Sequence, residues 1–234
     1  MQALGPDRVQ GIFLPSRFTD DESRKNVEQL VENLGMPLHT LSIEPIFECV
    51  LSVLESAGKK PEGLAVENIQ SRIRTLLLMA FSNMDESMVV GTSNKSEVTV
   101  GYGTIYGDIS GALLPLGDLF KSEVYEMAHH IRVIPEAILQ RAPTAELREN
   151  QHDTDDFPEY AKLDSVLRPL VLLGAPLKEI SEKSGVELAQ VESFAKKMWN
   201  AEYKRRQAPC ILRVSARAFG SEAKYPIVNG LCGK

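Results

Sequence analysis

Between Gly91 and Tyr125 the chain reads GTSNKSEVTVGYGTIYGDISGALLPLGDLFKSEVY, a run rich in Gly, Ser, Thr, Asn and Asp. Its side chains could do several kinds of chemistry. Thr92, Asn94 and Ser96 offer hydroxyl and amide groups, and Glu97 offers an anionic oxygen. Gly101 and Gly103 flank Tyr102 and let backbone approach a ligand closely. Tyr102 and Tyr106 present flat faces to a heterocycle. Asp108 and Asp118 could hold a metal or orient a hydroxyl, and Lys121 ends the run with a cation. A nucleotide would suit this set. So would a glycine-rich surface loop that stabilises its own turns, and residue types alone leave the two open.

The elements around this stretch must position it. Met88 to Thr92 begins with the apolar run Met88-Val89-Val90 and reads as a strand, which puts Thr92 at its carboxyl end. Arg8 to Leu14 is a short apolar run stopped by Pro15, and Leu38 to Ile43 alternates; both read as strands. Val27, Leu30, Val31 and Leu34 recur at helical spacing before Gly35. Pro45 opens a helix striped by Ile46, Phe47, Val50, Leu51 and Leu54. A longer helix runs from about Val66 to Ser82. Strand, helix, strand, helix, helix, strand is the grammar of a parallel α/β sheet. Ligands of such sheets sit beyond the carboxyl ends of the strands, where Pro15-Ser16-Arg17 and the segment from Thr92 emerge. Past Lys121 the helical positions Val124, Met127, Ala128 and Ile131 follow. Arg141 to Glu159 is a polar loop longer than most connections. The α/β part is expected to end near residue 135, with a helical part and tail from about 136 to 234.

Composition narrows the function classes. At 234 residues the chain is one domain or one with an appendage. The net charge of −6 and pI of about 5.4 argue against a nucleic-acid footprint. Leu177 to Met198 has the texture of a helix-turn-helix, but its second helix offers Glu187, Gln190 and Glu192 before any lysine, and carboxylates meet phosphates badly. It reads better as a hairpin whose apolar positions pack inward. No apolar run approaches the roughly 18–20 residues of a membrane span. Cys49, Cys210 and Cys232 are far apart and form no paired motif, which points to reduced thiols and a cytoplasmic setting. His129 and His130 are adjacent on a helix and make a poor chelate.

The order of the residues says more than their types. GT-x-NKSE, the GYGTIYGD that follows, and GD-x-x-K closely resemble the NAD synthetase family, which amidates nicotinic acid adenine dinucleotide (deamido-NAD). The resemblance extends to VQGIFLPSRFT, to ENIQSRIR (67–74), to APTAELRENQHDTD (142–155), and to YKRRQAP and AFGSEAKYPI in the tail, so it spans nearly the whole chain. It implies a parallel, doubly wound α/β sheet of the adenine-nucleotide alpha-hydrolase-like (ATP pyrophosphatase) type with a helical C-terminal part. It implies that Thr92 and Lys121 contact ATP, and that Thr144 touches the ATP phosphates as its loop closes. Asn68, Glu97, Tyr102, Gly103, Thr104, Ile105 and Lys204 would line the deamido-NAD site, with Glu97 also at magnesium. Arg17 and Arg72 fall in the same matched stretches. Ser93 stands where the family often has glycine, and a backbone needing positive φ there would resist it. The tail resembles the glutamine-dependent branch, which implies ammonia from a glutamine amidase domain; the family resemblance as a whole implies a dimer-based homo-oligomer.

The family also cradles pyrophosphate in an SGG-x-DS loop after its first strand, where backbone N–H groups and a helix N-terminus bind the anion. This sequence contains no such motif, and it opens at what resembles the end of the first helix. It is therefore expected to be an N-terminally truncated synthetase domain lacking the first strand and its loop, and to be inactive or feeble alone. Two other readings stand beside this one. One is another adenylating ATP pyrophosphatase, such as a GMP synthetase or a tRNA-modifying ligase. The other is a non-catalytic dinucleotide-binding remnant or subunit.

Overall fold

The computed structural model describes residues 3–149, 151, 155 and 158–228. The chain divides into two compact units, Met1–Ala80 with Glu126–Asp156, and Phe81–Tyr125 with Phe157–Lys234.

In the first unit β1 (Gly11–Phe13) pairs in parallel with β2 (Leu38–Thr40), in the register Gly11 to Leu38 and Phe13 to Thr40. The run expected from Arg8 to Leu14 is thus a shorter strand, preceded by a 3₁₀ turn at Pro6–Arg8. α1 (Asp21–Leu34) starts where Asp20 accepts the Ser23 N–H at 2.7 Å. It stops at Gly35, whose φ of 60° is the left-handed conformation glycine adopts without strain. α2 (Glu44–Ser56) carries proline in its first turn, where the missing N–H costs nothing. α3 (Leu64–Met84) is the long helix the spacing indicated. Leu14, Ile43, Phe47 and Ile73 are buried between these elements and form the unit's core.

The second unit holds β3 (Leu113–Leu114) paired in parallel with β4 (Cys210–Ile211). Around them stand α4 (Lys95–Val100), the start of α5 (Lys121–His130), and α7 (Tyr160–Arg168) with a π turn at Pro169–Leu173. α8 (Leu177–Ser184), α9 (Leu188–Asn200) and the short α10 (Glu202–Arg205) follow; α6 (Glu136–Gln140) belongs to the first unit. Leu114, Phe120, Leu163, Leu167, Val191 and Met198 are among its buried core side chains. α8 and α9 form the hairpin expected from 177 to 198, with Gly185 left-handed between them and Ile180, Val191, Phe194 and Met198 facing inward.

One expected element is much reduced. Met88 to Thr92 is not a full strand: Val90 makes a single parallel bridge to Leu113. Its hydrogen bonds run to one side, from Gly91 N–H to Leu113 O and from Ala112 N–H to Val89 O, both at 2.9 Å. Parallel strands hold together when paired and covered on both faces, whereas Met88 and Val90 are 65% and 53% exposed. The fold class is α/β with parallel strands, and each unit carries its own two-stranded sheet.

Candidate functional site

Three consecutive residues at the start of α4 grip the segment that leads into α5. Lys95 N–H donates to Leu119 O at 2.7 Å, and Lys95 Nζ pairs with Asp118 at 2.7 Å. Ser96 Oγ accepts the Lys121 N–H at 2.9 Å. Glu97 Oε1 pairs with Lys121 Nζ at 3.2 Å. The local fold follows from a capping box: Asn94 accepts the Glu97 N–H, and the Glu97 side chain accepts the Asn94 N–H in return. Lys121 Nζ also lies 5.2 Å from the Tyr160 ring and 6.0 Å from the Tyr125 ring, within cation–π range. The result is a partly exposed ammonium backed by a carboxylate and two aromatic faces.

Several polar groups of this stretch serve the fold. Lys95 has no exposed surface, and its Nζ also donates to Ser215 Oγ and Arg217 O, each at 2.9 Å. Asp118 accepts the N–H groups of Val214 and Ser215 at 2.8 and 2.6 Å. Burial alone would raise its pKa, but the hydrogen bonds from Lys95, Val214 and Ser215 outweigh burial and hold it below the usual carboxylate range. The Glu97 carboxyl goes the other way: burial lifts it above the ordinary range, with Lys121 and Asn94 opposing. Ser93 is buried, and it is not among the described non-glycine residues with positive φ, so its backbone accepts a side chain.

The GYGTIYGD turn follows α4 directly. Gly101 ends the helix at φ 71°, and a Cβ there would lie 2.6 Å from the Ala201 side chain. Tyr102 N–H returns to Glu97 O at 2.9 Å. Thr104 is buried, its N–H donates to Asp108 Oδ1 at 2.8 Å, and Ile105 bridges to Ile109. Lys204 on α10 reaches into this turn, with Nζ donating to the carbonyls of Gly101 and Gly103 at 2.8 and 2.7 Å. Burial lowers its pKa, and Asp108 opposes that. Tyr106, at φ 61°, is exposed and donates its hydroxyl to Gln207 at 2.6 Å. Thr92 is exposed two residues before the α4 cap. The second unit therefore brings together Glu97 with Lys121, and Tyr102, Gly103, Thr104 and Ile105 with Lys204.

Asn68 and Thr144 belong to the first unit. Asn68 is half-buried on α3. Its neighbour Gln70 is fully buried and donates to Leu147 O at 2.8 Å, while Gln70 Oε1 has no partner among the described residues. Thr144 Oγ1 accepts the Glu146 N–H at 3.2 Å. Arg148 pairs with Glu67 at 3.1 Å, and Arg141 with Asp20 at 2.6 Å and Glu146 at 2.9 Å. The described part of the long polar loop is thus pinned to α3 and to the start of α1. Arg17 is held by Glu44 and Glu48.

Sequence reasoning did not single out Lys95 or Asp164. Asp164 is 3% exposed on α7 and accepts from Ser96 Oγ at 2.5 Å and from Ser122 N–H at 2.8 Å. Its readable signal was a carboxylate in the apolar stripe of Leu163, Val166 and Leu167, which buried pairing alone permits. Among the described residues no three His, Cys, Asp or Glu side chains converge as a metal site. Glu97 alone still fits magnesium of the kind held by one or two carboxylates plus substrate phosphates.

Comparison with known proteins gives this arrangement its context. A family model described as NAD synthase matches residues 1–208. A glutamine-dependent NAD(+) synthetase of Xanthomonas campestris is 41% identical over 242 aligned residues, taking in 100% of this chain and 44% of that protein. A solved glutamine-dependent NAD+ synthetase from Acinetobacter baumannii, in complex with ADP, superposes with a TM-score of 0.58 at 32% identity, covering 98% of this chain and 42% of its own. A solved NMN synthetase from Francisella tularensis gives a TM-score of 0.68 at 26% identity, over 88% of this chain and 77% of its own. The chain spans less than half the length of the curated relatives it matches. The α/β architecture is that of the adenine-nucleotide alpha-hydrolase-like enzymes these structures represent, and with the family model covering most of its residues the chain belongs to the NAD synthase family.

Proposed function

We propose that this chain is the greater part of a synthetase domain that forms NAD from deamido-NAD at the expense of ATP. The nicotinate carboxylate attacks the α-phosphate of ATP, pyrophosphate leaves, and ammonia then displaces AMP to give the amide. A free carboxylate is a poor acceptor for ammonia; adenylation supplies the leaving group. Ammonia from glutamine is supported by the names of the relatives. Lys121 carries the reading: a lysine backed by Glu97 and two tyrosine rings offers a point charge suited to phosphate. Thr92 and Thr144 would also meet ATP. Asn68, Glu97, the Tyr102–Ile105 turn and Lys204 would meet deamido-NAD. Magnesium, when bound beside Glu97, supplies charge neutralisation as negative charge builds on the phosphates. A dimer-based assembly and a cytoplasmic setting complete the proposal; among the described residues no helix is long and apolar enough to cross a membrane.

Without a phosphate cradle of the SGG-x-DS kind the chain by itself would turn over feebly or not at all. The test is therefore binding: calorimetric titration with ATP and magnesium should saturate, and Lys121→Ala should weaken affinity about tenfold or more, roughly 1.4 kcal/mol. Equal affinity in parent and variant would remove Lys121 from the site. The likeness to the Francisella NMN synthetase favours a second reading, amidation of the mononucleotide, and a panel of the two nicotinate nucleotides separates the two.

A further inference from the structure

We propose that Asp164, acting through Ser96 and the first turn of α5, is the positioning residue for Lys121; this rests on Lys121 being the cation that meets phosphate. α7 presents two side chains one helical turn apart, Tyr160 and Asp164, and both serve the same lysine. The Tyr160 ring lies 5.2 Å from Lys121 Nζ. Asp164 works on the lysine's backbone. The first N–H groups of a helix have no acceptor within it and must find one elsewhere. At α5 the Phe120 N–H goes to Glu123 at 2.8 Å, the Lys121 N–H to Ser96 Oγ at 2.9 Å, and the Ser122 N–H to Asp164 Oδ2 at 2.8 Å. Ser96 Oγ donates in turn to Asp164 Oδ1 at 2.5 Å, so one carboxylate orients both the serine and the helix start. Ser96 is fully buried and Asp164 nearly so. Water cannot readily replace either partner, and the negative charge lies where the helix dipole favours it. The backbone of Lys121 is thereby fixed, and Nζ leaves it toward Glu97 and the two tyrosine rings. Ser96, Lys121 and Asp164 all belong to the second unit.

The test uses the whole chain and trace acetylation with acetic anhydride, read residue by residue by mass spectrometry. Lys183, whose side chain is 76% exposed, serves as the internal standard. Lys121 should label slowly in the parent. In Asp164→Ala its rate relative to Lys183 should rise about tenfold, the scale of losing hydrogen bonds to a charged group. Asp164→Asn keeps the shape and an acceptor, and should stay within about threefold of the parent. Ser96→Ala should give a several-fold rise and decides the matter if Asp164→Ala does not fold. A folded Asp164→Ala, or failing that Ser96→Ala, with unchanged Lys121 labelling overturns the proposal. So does a rise shared equally by all lysines, which would be general loosening. ATP should slow Lys121 labelling in the parent; if it does not, while Asp164→Ala still exposes the lysine, the phosphate role falls and the positioning stands.

Discussion

Lys95 has no exposed surface, and its Nζ donates to Asp118, to Ser215 Oγ and to the Arg217 carbonyl. Removing one partner of such a pair leaves the other charged and buried, which is costlier than the pair itself. Lys95→Ala or Asp118→Ala should lower stability by about 3–5 kcal/mol in urea denaturation. Single variants costing under about 1 kcal/mol would contradict the burial and pairing described here. Glu97 gives a pH prediction. Because burial raises its pKa in the folded chain, the folded state holds that proton more tightly than the unfolded one. The group's contribution is greatest below the ordinary carboxylate range and is lost as pH rises through the raised folded value. Glu97→Gln keeps the capping box and cannot ionise. Its stability relative to the parent should therefore climb across that interval, and a flat or falling difference would contradict the assignment. The sequence singled out Glu97 and Lys121 because they stand in ordered motifs, and the structure pairs them. The burial of Lys95 and the role of Asp164 were not legible there, since each depends on segments distant in sequence: Lys95 meets Asp118 and Arg217, and Asp164 meets Ser96.

The helices were the legible elements. Gly35, Pro45 and the apolar spacing of α3 carry local signals for start, stop and face, and the structure follows them. The strand expected at Met88–Thr92 shows why strands are harder. An apolar run specifies burial, but a strand exists only where neighbouring backbone pairs with it, and here Leu113 supplies one bridge. The turn after α4 makes an element-scale prediction. Gly101→Ala would have to hold a side chain at φ 71° against Ala201. It should cost about 1–3 kcal/mol by overpacking and loosen the hold of Lys204 on the Gly101 and Gly103 carbonyls. Faster amide hydrogen exchange through Tyr102 to Ile109 would reveal it, and unchanged exchange there would count against the described packing.

At the scale of the molecule, the expected site residues fall into two compact units, with Asn68 and Thr144 in one and the other eight in its companion. Each unit has its own core and its own short parallel sheet, so local order at Lys121 and Lys204 does not require a long continuous sheet. Family membership was legible from motif order across nearly the whole chain. That Glu97, Lys121, Thr144 and Lys204 bind other groups of the chain was not, because a group that caps a helix and one that meets a ligand have the same letter. The proposed chemistry then rests on whether the turn after α4, with Lys204 held on the Gly101 and Gly103 carbonyls, recognises a dinucleotide. The most direct measurement is calorimetric titration of the purified chain with deamido-NAD. The proposed function predicts saturable binding that falls about tenfold or more, roughly 1.4 kcal/mol, in Lys204→Ala. A folded chain that binds no deamido-NAD, or binds it equally well without Lys204, would contradict it.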